Sequence, residues 1–96
     1  MFNILKVSDH ELQLSGRLDA TQVDVAKPIL EQITTSATLD CQELAYISSA
    51  GLGLLIATQL RLNKAGGSLK LVKLSKFVRD VFRYSSLDKI FQIEDN

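Results

Sequence analysis

The chain has no tryptophan, and its 96 residues include only one cysteine, one proline, one methionine and one histidine. A single cysteine excludes an internal disulfide, and one histidine beside it makes no cluster of metal ligands. Net charge is missing as well: eleven Lys and Arg are balanced by eleven Asp and Glu. Without a surplus of one sign there is no overall field to collect nucleic acid or an anionic membrane. Long apolar runs are also lacking. The longest, residues 52–57 with Gly53 inside it, is far short of the roughly 20 residues that cross a bilayer. The opening MFNILKVSDHELQ carries charges where a signal peptide would keep its apolar stretch. These absences point to a small cytoplasmic module in a reducing compartment, with no direct membrane insertion.

What is present is a chain 46% hydrophobic and 23% charged, the composition of one small domain with a single core. Phe2, Ile4, Val7, Leu12 and Leu14 sit in alternating surroundings on either side of Ser8-Asp9-His10, a turn signal, so the first fifteen residues predict a hairpin. Over residues 21–36 the period changes. Val23, Val25, Ala26, Ile29, Leu30 and Ile33 fall in one sector of a helix, capped by Asp19 or Thr21 and bent or irregular because of Pro28. Residues 38–41 predict a short strand, with Tyr46-Ile47 ending it or beginning a brief extension. A second helix runs over residues 50–64 and stops at Ala65-Gly66-Gly67. A strand at 68–73 follows, and Ser75 caps a third helix whose buried stripe is Phe77, Val78, Val81 and Phe82. Residues 90–93 form a last strand before the acidic end Glu94-Asp95-Asn96. The order ββαβαβαβ predicts an α/β fold, a small mixed sheet with about three helices packed on it.

The second helix stands apart. From Ala50 to Ala57 it has no polar side chain, whereas a surface helix needs an apolar stripe only about 100° wide. Either its neighbours bury it, or Leu52, Leu54 or Leu55 stays exposed as a docking patch. Ser48 and Ser49 precede it, where unpaired N–H groups and about half a positive charge favour an anion. A serine there can be a plain N-cap worth about 1 kcal/mol. It can equally be a phosphorylation site, because that helix end tolerates a dianion and the fold survives the modification.

The run Asp40-Cys41-Gln42-Glu43-Leu44-Ala45-Tyr46-Ile47-Ser48-Ser49-Ala50-Gly51-Leu52-Gly53 resembles the signature of the STAS domain in its anti-sigma factor antagonist branch. There a strand with Asp, a short link and a hydrophobic pair lead to Asp-Ser-(Ser/Thr)-Gly-Leu-Gly opening a helix. Gly16-Arg17-Leu18-Asp19 resembles the family's Gly-x-Leu-Asp, and Gly66-Gly67-Ser68-Leu69 its Gly-Gly turn into the next strand. The resemblance spans nearly the whole chain and implies the STAS fold as a single domain over residues 1–96, without an extended C-terminal helix.

It also implies a function. In that branch an anti-sigma factor, a serine kinase of histidine-kinase-like ATP fold, binds the unmodified antagonist, frees its sigma factor and releases the antagonist on phosphorylating it. Counting back from Gly51 puts the phosphorylated serine at Ser49. The partner surface becomes Asp19, Ser48, Ser49, Ala50, Gly51, Leu52, Leu54 and Leu55, with a phosphatase acting on phospho-Ser49. Two positions depart from the pattern: Ser48 stands where the family has Asp, and Ala50 where it has a second Ser or Thr. The first departure makes Ser48 the second candidate acceptor. A short STAS domain also occurs as the cytosolic accessory of a phospholipid-transport ATP-binding cassette complex, and a non-phosphorylated scaffold is a further alternative.

Enzymatic readings find little. His10 sits in a turn between Asp9 and Glu11, with no second His or reactive Cys to support nucleophilic catalysis. Cys41 reads as a buried small hydrophobe. Gly51-Leu52-Gly53 is too short for a phosphate loop and lacks its Lys-Ser/Thr ending, so neither a catalytic residue nor a cofactor is assigned. Lys70, Lys73, Lys76, Arg79 and Arg83 read as a solvated basic face.

Overall fold

The computed structural model describes residues 2–94. Five strands form one mixed sheet in the order β1-β2-β3-β4-β5: β1 (Phe2–Ser8), β2 (Glu11–Leu18), β3 (Ala37–Ile47), β4 (Leu69–Val72) and β5 (Gln92–Glu94). The first pair is an antiparallel hairpin turned at Asp9-His10, and every later neighbour is parallel. Parallel neighbours need crossovers, and α1 (Val23–Leu30), α2 (Ser49–Lys64) and α3 (Lys76–Tyr84) supply them in turn. The predicted order of strands and helices is the observed one. The core gathers Leu12, Leu14 and Leu18 of β2, Leu39, Leu44 and Ile47 of β3, and Leu69 and Leu71 of β4 under Leu55 and Leu62 of α2.

Several boundaries differ from expectation, each for a local reason. The helix expected to reach residue 36 is a 3-10 turn, Ala20–Gln22, followed by α1, and it ends at Leu30. Pro28 lies in its last turn, and the ladder closes one residue past the helix, where the Glu31 N–H donates to the Lys27 carbonyl at 2.9 Å. The carbonyls of Leu30 and Ile33 at and beyond this end accept from the Arg61 guanidinium of α2, at 2.9 and 2.7 Å. Val25, expected on the buried face, is exposed, while Ala26, Leu30 and Ile33 are buried.

The strand expected over 38–41 continues unbroken to Ile47, because β2 pairs along its whole length; one register shift absorbs the polar link before Glu43 and a second takes up Ala45. The last strand begins at Gln92 rather than residue 90. Residues Leu87–Lys89 form a 3-10 turn, and Phe91 packs edge-on against Phe82 with ring centres 5.5 Å apart. Phe77 is the one clear error in the α3 stripe. It is 52% exposed, while Val78 and Phe82 are buried and Val81 is partly so. Asp95 and Asn96 of the expected acidic end lie outside the described residues.

Three of the five residues of the expected basic face meet carboxylates. Lys70 pairs with Glu94 at 2.6 Å, Lys73 approaches Asp40 at 3.8 Å and Lys76 pairs with Asp80 at 2.9 Å. Cys41 is buried, and desolvation pushes its thiol from the ordinary 9.0 up to about 12. The folded chain therefore keeps a proton that the unfolded chain loses above about pH 9. Stability contributed by this group is complete below that pH and is lost progressively towards pH 12. A thiol reagent at pH 8 is expected to label the urea-unfolded protein fully and the native protein scarcely at all, which mass spectrometry reads directly.

Candidate functional site at the start of helix α2

Strands β2 and β3 end together, with Leu18 paired to Ile47, and the Ser48 N–H donates to the Leu18 carbonyl at 2.9 Å. This bond carries the ladder one residue past β3 and delivers the chain into α2 at a fixed place. Ser48 is extended (φ −94°, ψ 174°) and its Oγ accepts from the Gly51 N–H at 3.2 Å, while its carbonyl accepts from Leu52 N–H at 2.8 Å. It is therefore the N-cap. Ser48→Ala is expected to lower stability by about 1 kcal/mol in urea denaturation, with no change in fold.

Ser49 is the first residue of the helix and is exposed. Its hydroxyl makes no hydrogen bond among the described residues. The two serines thus differ in kind: one hydroxyl is used by the fold and the other is open to solvent. No acidic side chain occupies the first turn of this 16-residue helix, so its positive end is uncompensated and accepts negative charge at Ser49.

Gly51 explains how close the helix comes to the sheet. A Cβ there would sit 2.7 Å from the Leu18 carbonyl oxygen and 2.9 Å from Ile47 Cγ1. Gly53, two residues on, faces open space. Asp19 follows Leu18 directly. Its Oδ1 accepts from the Thr21 hydroxyl at 2.6 Å and the Thr21 N–H at 3.0 Å, bonds that hold its carboxyl below the ordinary carboxylate value. It caps the 3-10 turn before α1, one of the two caps expected.

The sequence-predicted site residues are thus brought together, with one correction. Leu52 and Leu55 do not form an exposed docking patch. They are buried in the core with Gly51, and Leu54 is partly buried, because the sheet and α1 cover the apolar helix on its inner side. Ala50 and Gly53 are exposed beside Ser49.

Sequence reasoning missed one cluster beside the site. Arg17 lies over the Tyr46 ring, 4.2 Å from its centre, and Tyr46 stacks on Phe77 at 5.9 Å and 22°. Arg17 and Tyr46 are cross-strand partners one pair before Leu18 and Ile47, a register that the sequence shows only once β3 is known to run to Ile47. A shallow cavity of about 320 Å³ lies elsewhere, over β1 to β3, lined by residues such as Asn3, Gln13, Ser15 and Glu43, and none of the site residues lines it.

A family model described as "Mlab, STAS domain" matches residues 5–93. The chain belongs to the STAS domain family. Among characterised relatives of this STAS domain is the anti-sigma-B factor antagonist of Bacillus subtilis (strain 168). It is 29% identical over 90 residues, which are 90% of this chain and 82% of the relative. The anti-sigma factor antagonist SpoIIAA in its unphosphorylated form superposes with a TM-score of 0.78 at 24% identity, covering 100% of this chain and 88% of that one. A second anti-sigma factor antagonist, described as putative, comes from Thermotoga maritima and gives a TM-score of 0.80 at 21% identity, covering 100% and 86%. These likenesses establish the STAS fold for the chain. No helix among the described residues is long and apolar enough to cross a membrane.

Proposed function

We propose that this STAS domain is an anti-sigma factor antagonist, a binding module of the cytoplasm rather than an enzyme, switched by phosphorylation at Ser49. Its partner is an anti-sigma factor, a serine kinase of histidine-kinase-like ATP fold. The unmodified domain binds that partner, and the partner's kinase activity then discharges it. A phosphatase returns phospho-Ser49 to serine. The observation that carries the reading is the division of labour at the start of α2: Ser48 caps the helix through Gly51, leaving the Ser49 hydroxyl exposed and unbonded.

The chemistry is sufficient without a conformational change. A phosphoryl group adds nearly two negative charges at neutral pH. At the helix start those charges are tolerated by the fold, because its N–H groups and dipole face them. At the rim of a docked partner the same charges are desolvated and repelled by any acidic group, so the complex is weakened. Asp19 already supplies one ionised carboxylate on the adjoining loop, which sharpens that repulsion. Reversing a two-state preference from nearly all bound to nearly all free takes about 5.5 kcal/mol.

The test is calorimetric titration against the anti-sigma factor kinase encoded by the same organism. Ser49→Ala is expected to bind as the native chain does, and Ser49→Asp at least tenfold more weakly, with unchanged thermal midpoints. Equal affinities for the Ala and Asp variants would remove Ser49 from the switch. If Ser49→Asp is tolerated and the protein co-purifies with a membrane ATPase, the transporter-accessory role takes its place.

A further inference from the structure

Resting on Ser49 as the phosphate acceptor, we infer that Arg17 is the internal counter-ion of phospho-Ser49, and that phosphorylation draws it off Tyr46 and uncovers the Tyr46–Phe77 ring pair. In the unmodified chain Arg17 is exposed and its guanidinium lies over the Tyr46 ring at 4.2 Å, with Phe77 stacked on that ring. The register puts Arg17 at the same end of the sheet as the acceptor. It pairs with Tyr46, the next pair is Leu18 with Ile47, and the Leu18 carbonyl takes the Ser48 N–H. Ser49 is the following residue.

Several other cations are committed elsewhere. Lys70, Lys73 and Lys76 face carboxylates, Arg61 holds the Leu30 and Ile33 carbonyls, and Lys64 is at the opposite end of α2. Among the described residues Arg17 stands in no ion pair within 4 Å; besides the ring, its charge acts on Asp19, whose carboxyl it helps to hold below the ordinary value.

The exchange runs downhill. An exposed cation–π contact is the weaker interaction, whereas a planar guanidinium meets a phosphoryl dianion with two charge-assisted hydrogen bonds. Phosphorylation then changes the surface twice. It adds charge at Ser49, and it exchanges a cation-capped aromatic for a bare one beside Phe77, itself 52% exposed. A partner that reads the unmodified surface by contacting the Arg17 cation loses that contact at the same moment.

The test uses the whole chain with phosphoserine installed at position 49 during synthesis, so it does not depend on the native kinase. Nuclear magnetic resonance is expected to show the Tyr46 and Phe77 ring signals and the Arg17 Nε–H signal shifting on phosphorylation. In Arg17→Ala the ring signals are expected to be the same with and without the phosphate. The phosphoserine is also expected to titrate about half a pH unit lower in the native chain than in Arg17→Ala, and Arg17→Lys to fall between them. Ring and Nε–H signals indifferent to phosphoserine, with the same phosphate titration in native and Arg17→Ala chains, would overturn the inference and leave the Ser49 reading intact. A failure of the Ser49 reading shows separately, as native protein that is never phosphorylated there.

Discussion

Gln59→Leu is expected to lower stability by about 3 kcal/mol. Gln59 lies in the middle of α2 and is only 3% exposed. Its Oε1 accepts from the Leu69 N–H at 2.6 Å and its Nε2 donates to the Ile90 carbonyl at 2.8 Å. One side chain therefore ties the first residue of β4 to the segment that leads into β5. Leucine matches the shape but supplies neither partner, and each orphaned group then costs about 1–3 kcal/mol. For a domain near 100 residues each kcal/mol shifts the thermal midpoint by about 4–8 °C, so a fall of more than about 10 °C is expected. Hydrogen exchange checks the mechanism, because the Leu69 amide should lose more protection than the amides of β2. A variant within about 1 kcal/mol of the native protein would mean that water replaces both bonds.

Gly51→Ala is expected to be destabilising by about 2 kcal/mol, a fall of about 10 °C, although an alanine inside a helix ordinarily stabilises by about 0.5–1 kcal/mol over glycine. The reason is contact. The new methyl would meet the Leu18 carbonyl oxygen at 2.7 Å, a backbone atom that cannot rotate away, and Ile47 at 2.9 Å. The start of α2 must then lift from the ends of β2 and β3 and carry Ser48 and Ser49 with it. Gly53→Ala is the internal control. Nothing lies within 4 Å of its new methyl, so the ordinary helix gain should appear. Opposite signs two residues apart would establish that the acceptor is positioned by direct packing of helix on strand. The same sign at both would contradict that.

Much of this architecture is legible in the sequence. The 3.6-residue period of α1 and α3, the Gly-Gly stop after α2 and the Ser-Asp-His turn each mark an element through residue order alone. The serines at the start of α2 are visible as a cap, and the motif around them marks the family. The misses share a cause, namely long-range contacts that local patterns do not record. Gln42-Glu43 looks like a break, yet β3 continues through it because β2 supplies a partner along its full length. Leu52 and Leu55 look available for docking, yet the sheet takes them. Phe77 looks buried by its spacing, yet it stacks outward on Tyr46, which is distant in the chain. Which of two adjacent serines is free is also not readable from residue types. It depends on the single hydrogen bond from Gly51 to Ser48.

The most direct measurement is the intact mass, with fragment mapping, of the protein isolated from its own host under several growth conditions. A fraction heavier by one phosphoryl group, mapped to Ser49 and absent from Ser49→Ala, is the expected result. A phosphoryl group on Ser48 instead, or none under any condition, would contradict the assignment of the open hydroxyl of Ser49 as the switch.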